Sequence, residues 1–139
     1  MTALLDVNVL IALSWRNHAH HSAAREWFTR SSSNGWATTP ITEVGFVRIS
    51  SDRRVVQVST TPATALAQLE ALRALPGHAF WPDDVPLVVG EGGDRGAVSS
   101  HRLVTDCHLI ALVARYGGRL VTFDAALADS APAGLVEVL

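Results

Sequence analysis

Four carboxylates occupy positions from which they could work together: Asp6, Glu43, Asp106 and Asp124. Asp6 ends the apolar run Ala3-Leu4-Leu5, and Asp124 ends Val121-Thr122-Phe123. An acid at the carboxyl end of a buried strand projects from the sheet rim, where parallel α/β sheets gather their chemistry. Glu43 and Asp106 fall in the first turns of helices expected after Thr39-Pro40 and Val104. Unpaired N–H groups and partial positive charge at a helix start favour an ionised carboxylate. Four such groups facing one cleft repel one another, and cations offset that repulsion. Ligands that are all oxygen select hard ions, so Mg²⁺ is expected, with Mn²⁺ as a substitute. Taken singly, each acid also has a plain reading as a turn or helix-start residue; the joint pattern carries the inference.

Supporting groups follow from the same segments. Asn8 is expected to hydrogen-bond Asp6 or a metal-bound water, or else only to start a helix. Thr105 is read as a helix cap that could also touch phosphate. Arg48, five residues beyond Glu43, is a candidate phosphate contact and equally a solvated side chain. His18, His20 and His21 lack the ligand spacing of a zinc site and read as a loop and helix start. Asp83 and Asp84 after Trp81-Pro82 read as turn residues. Trp15, Trp27, Trp36 and Trp81 read as core or interface, with base stacking open to any that is exposed. Cys107 inside an apolar helix reads as packing.

The elements that must position these groups alternate between strand and helix. Strands are expected over 3–5, 36–38, 78–81, 119–123 and 135–139. Helices are expected over 7–15, 20–30, from Pro40, from Pro62, and over 104–116, the last stopped by Gly117-Gly118. The Pro62 helix is expected to turn Ala65, Leu66, Leu69, Leu72 and Leu75 inward. Residues 31–35 and 90–100 read as loops. Strands alternating with helices imply an α/β fold, a central, mostly parallel sheet flanked by helices.

The chain has 139 residues, enough for one domain spanning 1–139. With 48% hydrophobic and 17% charged residues it reads as a compact soluble protein. No apolar run reaches the roughly 20 residues of a membrane helix, so no membrane partner is expected. The opening MTALLDVNVLIAL has no basic leader region, so a cytoplasmic location is expected. One cysteine excludes an internal disulfide and a cysteine-rich zinc site. The net charge of −2 advertises no basic field for nucleic acid. Yet all 11 basic residues are arginine, whose planar fork suits phosphate.

The stretches LLDVNVLIAL, WATTPITEVGFVRIS, FWPDD and HRLVTDCHLIALVARYGGRLVTFD resemble the PIN-domain toxins of bacterial VapBC toxin–antitoxin systems. The resemblance covers roughly residues 3–138 and is weakest over 88–99. It implies a PIN-like fold, Mg²⁺-dependent endoribonuclease activity, an RNA substrate with transfer RNA as a candidate, a homodimer, and a cognate VapB-like antitoxin. Asp6 matches the family's first acid, Glu43 that of its ITE-type motif, Asp106 that of its TD motif and Asp124 that of its TFD motif. The implied products carry 5′-phosphate and 3′-hydroxyl. Three rivals remain at this point. An aspartyl-phosphate phosphatase wants a second Asp two residues after the first, where Asn8 stands. A metal-independent nuclease has His101 and His108 to draw on. A non-catalytic module would use the acids only to bind metal and RNA.

Overall fold

The computed structural model describes residues 1–56, 60–87 and 100–139. Its strands are β1 (Ala3–Leu5), β2 (Trp36–Thr38), β3 (His78–Phe80), β4 (Arg119–Thr122) and β5 (Val136–Val138). Its α-helices are α1 (Val7–Ser14), α2 (His21–Ser31), α3 (Pro40–Ser50), α4 (Pro62–Arg73), α5 (Val104–Tyr116) and α6 (Ala125–Ser130). The sheet runs in the order β3-β2-β1-β4-β5, and every pairing is parallel. In β1, Ala3 lies opposite Trp36 on one side and Arg119 on the other. The strand order therefore reverses at β1. A crevice opens at such a switch point, beyond the carboxyl ends of the strands, and Asp6 and Asp124 stand there.

Alternation along β1 divides the core in two. Ala3 and Leu5 join Val9, Trp27, Trp36, Phe46 and Leu72 on the α1–α4 side. Leu4 joins Leu109, Leu112, Leu120, Leu127 and Trp81 on the α5–α6 side. Helix α3 sits tight against the start of α1. A Cβ on Gly45 would lie 2.7 Å from Val7 Cγ2, so glycine lets the helix that carries Glu43 approach the residue after Asp6. Gly117 closes α5 with a left-handed φ of 62°, as its sequence position predicts.

Most expected elements are present, with ends trimmed by a residue or so. Three differences matter. In α4, Ala65, Leu69 and Leu72 are buried but Leu66 is 55% exposed, and Leu75, past the end of the helix, is 38% exposed. A single helical stripe cannot turn 65, 66, 69, 72 and 75 all inward against one neighbour. Residues 125–130 form α6, a short helix capped by Asp124. The expected 31–35 loop is partly helical: Ser31 ends α2, and Ser32–Asn34 form a 3-10 turn. The expected 90–100 loop lies, except for Ser100, outside the described residues. Among the described residues no helix is long and apolar enough to cross a membrane.

Candidate active site

Asp6 and Asp124 are each the N-cap of the helix that follows their strand. Asp6 Oδ1 accepts from the Val7 N–H at 2.6 Å, and Asp124 Oδ1 accepts from the Ala126 N–H at 3.0 Å. The capping bonds fix both carboxylates at the rim. Burial pushes the Asp6 carboxyl above its ordinary range, against hydrogen bonds from Thr122 and Val7, and the nearby Asp124 charge adds to the rise. The Asp106 carboxyl, in the first turn of α5, is also raised. Burial is again the main cause, and Asp6 and Asp124 contribute. The three aspartates therefore share one electrostatic neighbourhood. The helix-start advantage expected for Asp106 is outweighed by burial and like charge.

Glu43 stands in a different polar group. Its Oε1 accepts from the Thr38 hydroxyl at 2.6 Å, and Arg73 approaches both of its oxygens, Nε at 3.4 Å and Nη1 at 3.5 Å. Thr38 also contacts His78 Nε2 at 2.8 Å. Burial lowers the His78 pKa, Arg73 lowers it further, and Glu43 opposes. Arg73 in turn lies over the Phe80 ring, 5.2 Å from its centre. The Glu43 carboxylate is thus held between β2 and α4, through Thr38 and Arg73.

Thr122 is the site residue that the sequence reading missed. It is fully buried, and its hydroxyl donates to Asp6 Oδ2 at 2.8 Å. The same oxygen accepts from Asn8 Nδ2 at 3.0 Å and from the Asp124 N–H at 3.1 Å. One hydroxyl thus ties both strand-end aspartates together. Asn8 reaches Asp6 only through Thr122, and its own carbonyl accepts from the Phe123 N–H at 3.3 Å. The signal is a hydroxyl directly after the apolar pair Leu120-Val121, two residues before an acid. Replacing Thr122 with Val should weaken divalent-ion binding by about 10- to 100-fold, the usual cost of losing a group that orients a ligand. Thr122→Ser should retain binding. Calorimetric titration with Mn²⁺ checks this, and equal affinity in both variants would remove Thr122 from the site.

Thr105 does not cap its helix. Leu103 holds the cap position of α5, after a 3-10 turn over His101–Leu103 in which Ser100 Oγ accepts from the Arg102 N–H. Thr105 is instead exposed, on the wall of a groove of about 350 Å³ shared with Val7, Ile41, Val44 and Arg48. Val7 and Thr105 adjoin Asp6 and Asp106 in the chain, so Arg48 shares its groove with the sequence neighbours of two of the aspartates.

The remaining candidates have structural partners. His21 Nδ1 contacts the Ala12 carbonyl at 2.8 Å, His18 Nδ1 accepts from the His20 N–H, and His20 stacks on Phe123. Trp27, Trp36 and Trp81 are buried, and half-buried Trp15 donates to Ser50 Oγ. Cys107, the one cysteine of the chain, is half-buried.

Among the described residues no three His, Cys, Asp or Glu side chains close on one point as a formed ligand set. The donors nonetheless suit a hard divalent cation. Asp6, Asp106 and Asp124 offer only oxygen, and a cation relieves the repulsion that raises the first two.

The PIN domain family model matches residues 3–131. The chain is 79% identical to Ribonuclease VapC39 of Mycobacterium tuberculosis across the whole of both chains. It is 49% identical to Ribonuclease VapC38 of the same organism, over 99% of this chain and 97% of that one. Its fold matches the crystal structure of M. tuberculosis VapC20, described as a sarcin-ricin loop cleaving toxin, with a TM-score of 0.67, 17% identity and 98% of each chain covered. It also matches VapBC2 from Rickettsia felis, bound to a DNA fragment from their promoter, with a TM-score of 0.65, 10% identity and 99% and 98% coverage. With a five-stranded parallel sheet, acids at its switch point and relatives of this identity, the chain belongs to the PIN-domain family, as a toxin of the VapC type.

Proposed function

We propose that this chain is a single-domain, Mg²⁺-dependent endoribonuclease toxin, acting on RNA and restrained by a cognate antitoxin. The observation that carries the reading is the mutual electrostatic action of Asp6, Asp106 and Asp124 at the switch point of the sheet. These three would hold Mg²⁺ or Mn²⁺. Glu43 completes the acid set by its match to the family motif, although its carboxylate here pairs with Arg73 and Thr38. The bound ion would supply an activated water and charge neutralisation at the phosphate. The chain's own residues do the rest. Thr122 and Asn8 lock the strand-end acids, Arg48 offers its fork to a phosphate along the groove, and exposed Thr105 borders the same path. A transfer RNA is the candidate substrate, and a homodimer the proposed assembly.

A helix of the antitoxin needs exposed apolar anchors on this chain. Trp27 is 1% exposed and Phe46 fully buried, so neither can receive a partner. A groove of about 390 Å³ instead runs between α1, α2 and α4, with Leu13, Phe28, Leu72 and Leu75 as apolar walls and Arg16 and Arg25 beside them. It suits an amphipathic helix with acidic flanks.

The test joins both halves. Expression alone should arrest growth, and the purified chain should cut RNA with Mg²⁺ and stop on chelation. Co-expression with the product of the adjoining reading frame should restore growth and give a copurifying complex. Turnover that persists in EDTA rejects the metal reading, and growth arrest despite abundant soluble neighbour rejects the antitoxin.

A further inference from the structure

Beside the groove that carries Arg48 lies a second pocket, also of about 350 Å³. Ile41 and Thr105 line both, so the two adjoin, and Thr105 is next in the chain to Asp106. The walls of the second pocket are Ile41, Val85, Leu87 and Val104. Its polar groups, apart from the Thr105 hydroxyl, are Asp83 and His108. His108 Nε2 meets Asp83 Oδ1 at 2.5 Å. The imidazole is nearly sequestered, with 9% of its side chain exposed, while the Asp83 side chain is 26% exposed. A buried histidine thus fixes an aspartate whose second oxygen takes no other hydrogen bond among the described residues.

We propose that this pocket is a nucleobase subsite, in which Asp83 reads the N–H donors on the edge of a base next to the cut. The inference rests on the ribonuclease reading and names its specificity element. Apolar walls with one fixed carboxylate match the chemistry of a base, which has apolar faces and a polar edge. A carboxylate only accepts hydrogen bonds. Guanine presents two adjacent donors, N1–H and the N2 amino group, which the open Oδ2 and the second lone pair of Oδ1 can accept together, while adenine, cytosine and uracil each present donors from a single nitrogen on that edge. Guanine is therefore the base favoured here. An aliphatic side chain from a protein partner would fill the walls but leave Asp83 without a donor, which is costly in a desolvated pocket.

Asp83→Asn tests this, because it keeps volume and the oxygen that faces His108 while replacing the second acceptor by a donor. Two measurements are needed. The first is kcat/KM on short oligoribonucleotides carrying each of the four bases at the positions flanking the cut. The second is equilibrium binding of the same oligomers in EDTA, read by fluorescence anisotropy. The wild-type chain should favour guanine at one flanking position, and Asp83→Asn should lose about tenfold of that preference, the usual worth of a two-point base contact. Leu87→Ser, on the 59% exposed wall residue, should weaken all four bases alike. A uniform drop across bases in Asp83→Asn, or an unchanged guanine preference, overturns the subsite. So does a wild-type chain indifferent to base, as when the pocket receives an arginine from a protein partner. The binding measurement needs no turnover. Absence of cleavage alone would sink the ribonuclease reading, while a guanine preference in binding that depends on Asp83 would still uphold the pocket.

Discussion

Asp6→Asn and Asp106→Asn should each abolish RNA cleavage while leaving the fold in place. Each change removes one negative charge from a set of three that act on one another, and barely alters volume. Charge stabilisation by a bound cation is worth several kcal/mol, so losing one of its ligands should cost on the order of a thousandfold in kcat/KM. Stability should move the other way. Burial and like charge disfavour the ionised forms of Asp6 and Asp106, so the amides should melt higher than the wild-type chain in EDTA at neutral pH. The Val7 bond that caps α1 survives in Asp6→Asn, because the amide oxygen still accepts. Cleavage assays beside thermal melts separate the two effects. Full activity in both purified variants would reject the site.

The second large effect is the response of stability to metal and pH together. Both raised carboxyls hold a proton in the folded chain at a pH where the unfolded chain has lost it. In EDTA, stability should therefore fall as pH rises from the ordinary aspartate value of 3.8 through the raised folded values, and these groups should add no further slope above them. Mg²⁺ competes with those protons, so its benefit should grow over the same interval. At a hundredfold excess over Kd the gain is about 2.7 kcal/mol, on the order of 10 °C in Tm for a domain of this size. Melting curves across pH, with and without Mg²⁺, read both slopes. A Tm indifferent to Mg²⁺ at neutral pH up to tens of millimolar, a range set by mass action for weak sites, would count against a functional metal centre.

Sequence patterns revealed the strand-end acids because an apolar run ended by Asp is a local signal. Asp6 and Asp124 caught it directly, and the parallel topology placed them side by side. Long-range partners left no such trace. Arg73, 30 residues beyond Glu43, draws that carboxylate toward α4, and nothing in the ITE-type motif announces it. Thr122 looked like one more strand residue until the fold put Asn8 and Asp6 against its hydroxyl. Thr105 was misread as a cap because the 3-10 turn over His101–Leu103 shifts the real cap to Leu103. The Asp83–His108 pair spans 25 residues, and from sequence Asp83 was only a turn residue.

The bond from Thr122 to Asp6 joins positions 116 residues apart. Strand β1 pairs with β4, which is made much later in synthesis. Closing so long a loop is slow compared with local helix formation. A nascent chain therefore has helices long before it has a nuclease, and a product released before residue 122 lacks the group that ties its aspartates together. Synthesis itself sets the order: the strand-end aspartates cannot be tied together until the chain has been made through residue 122.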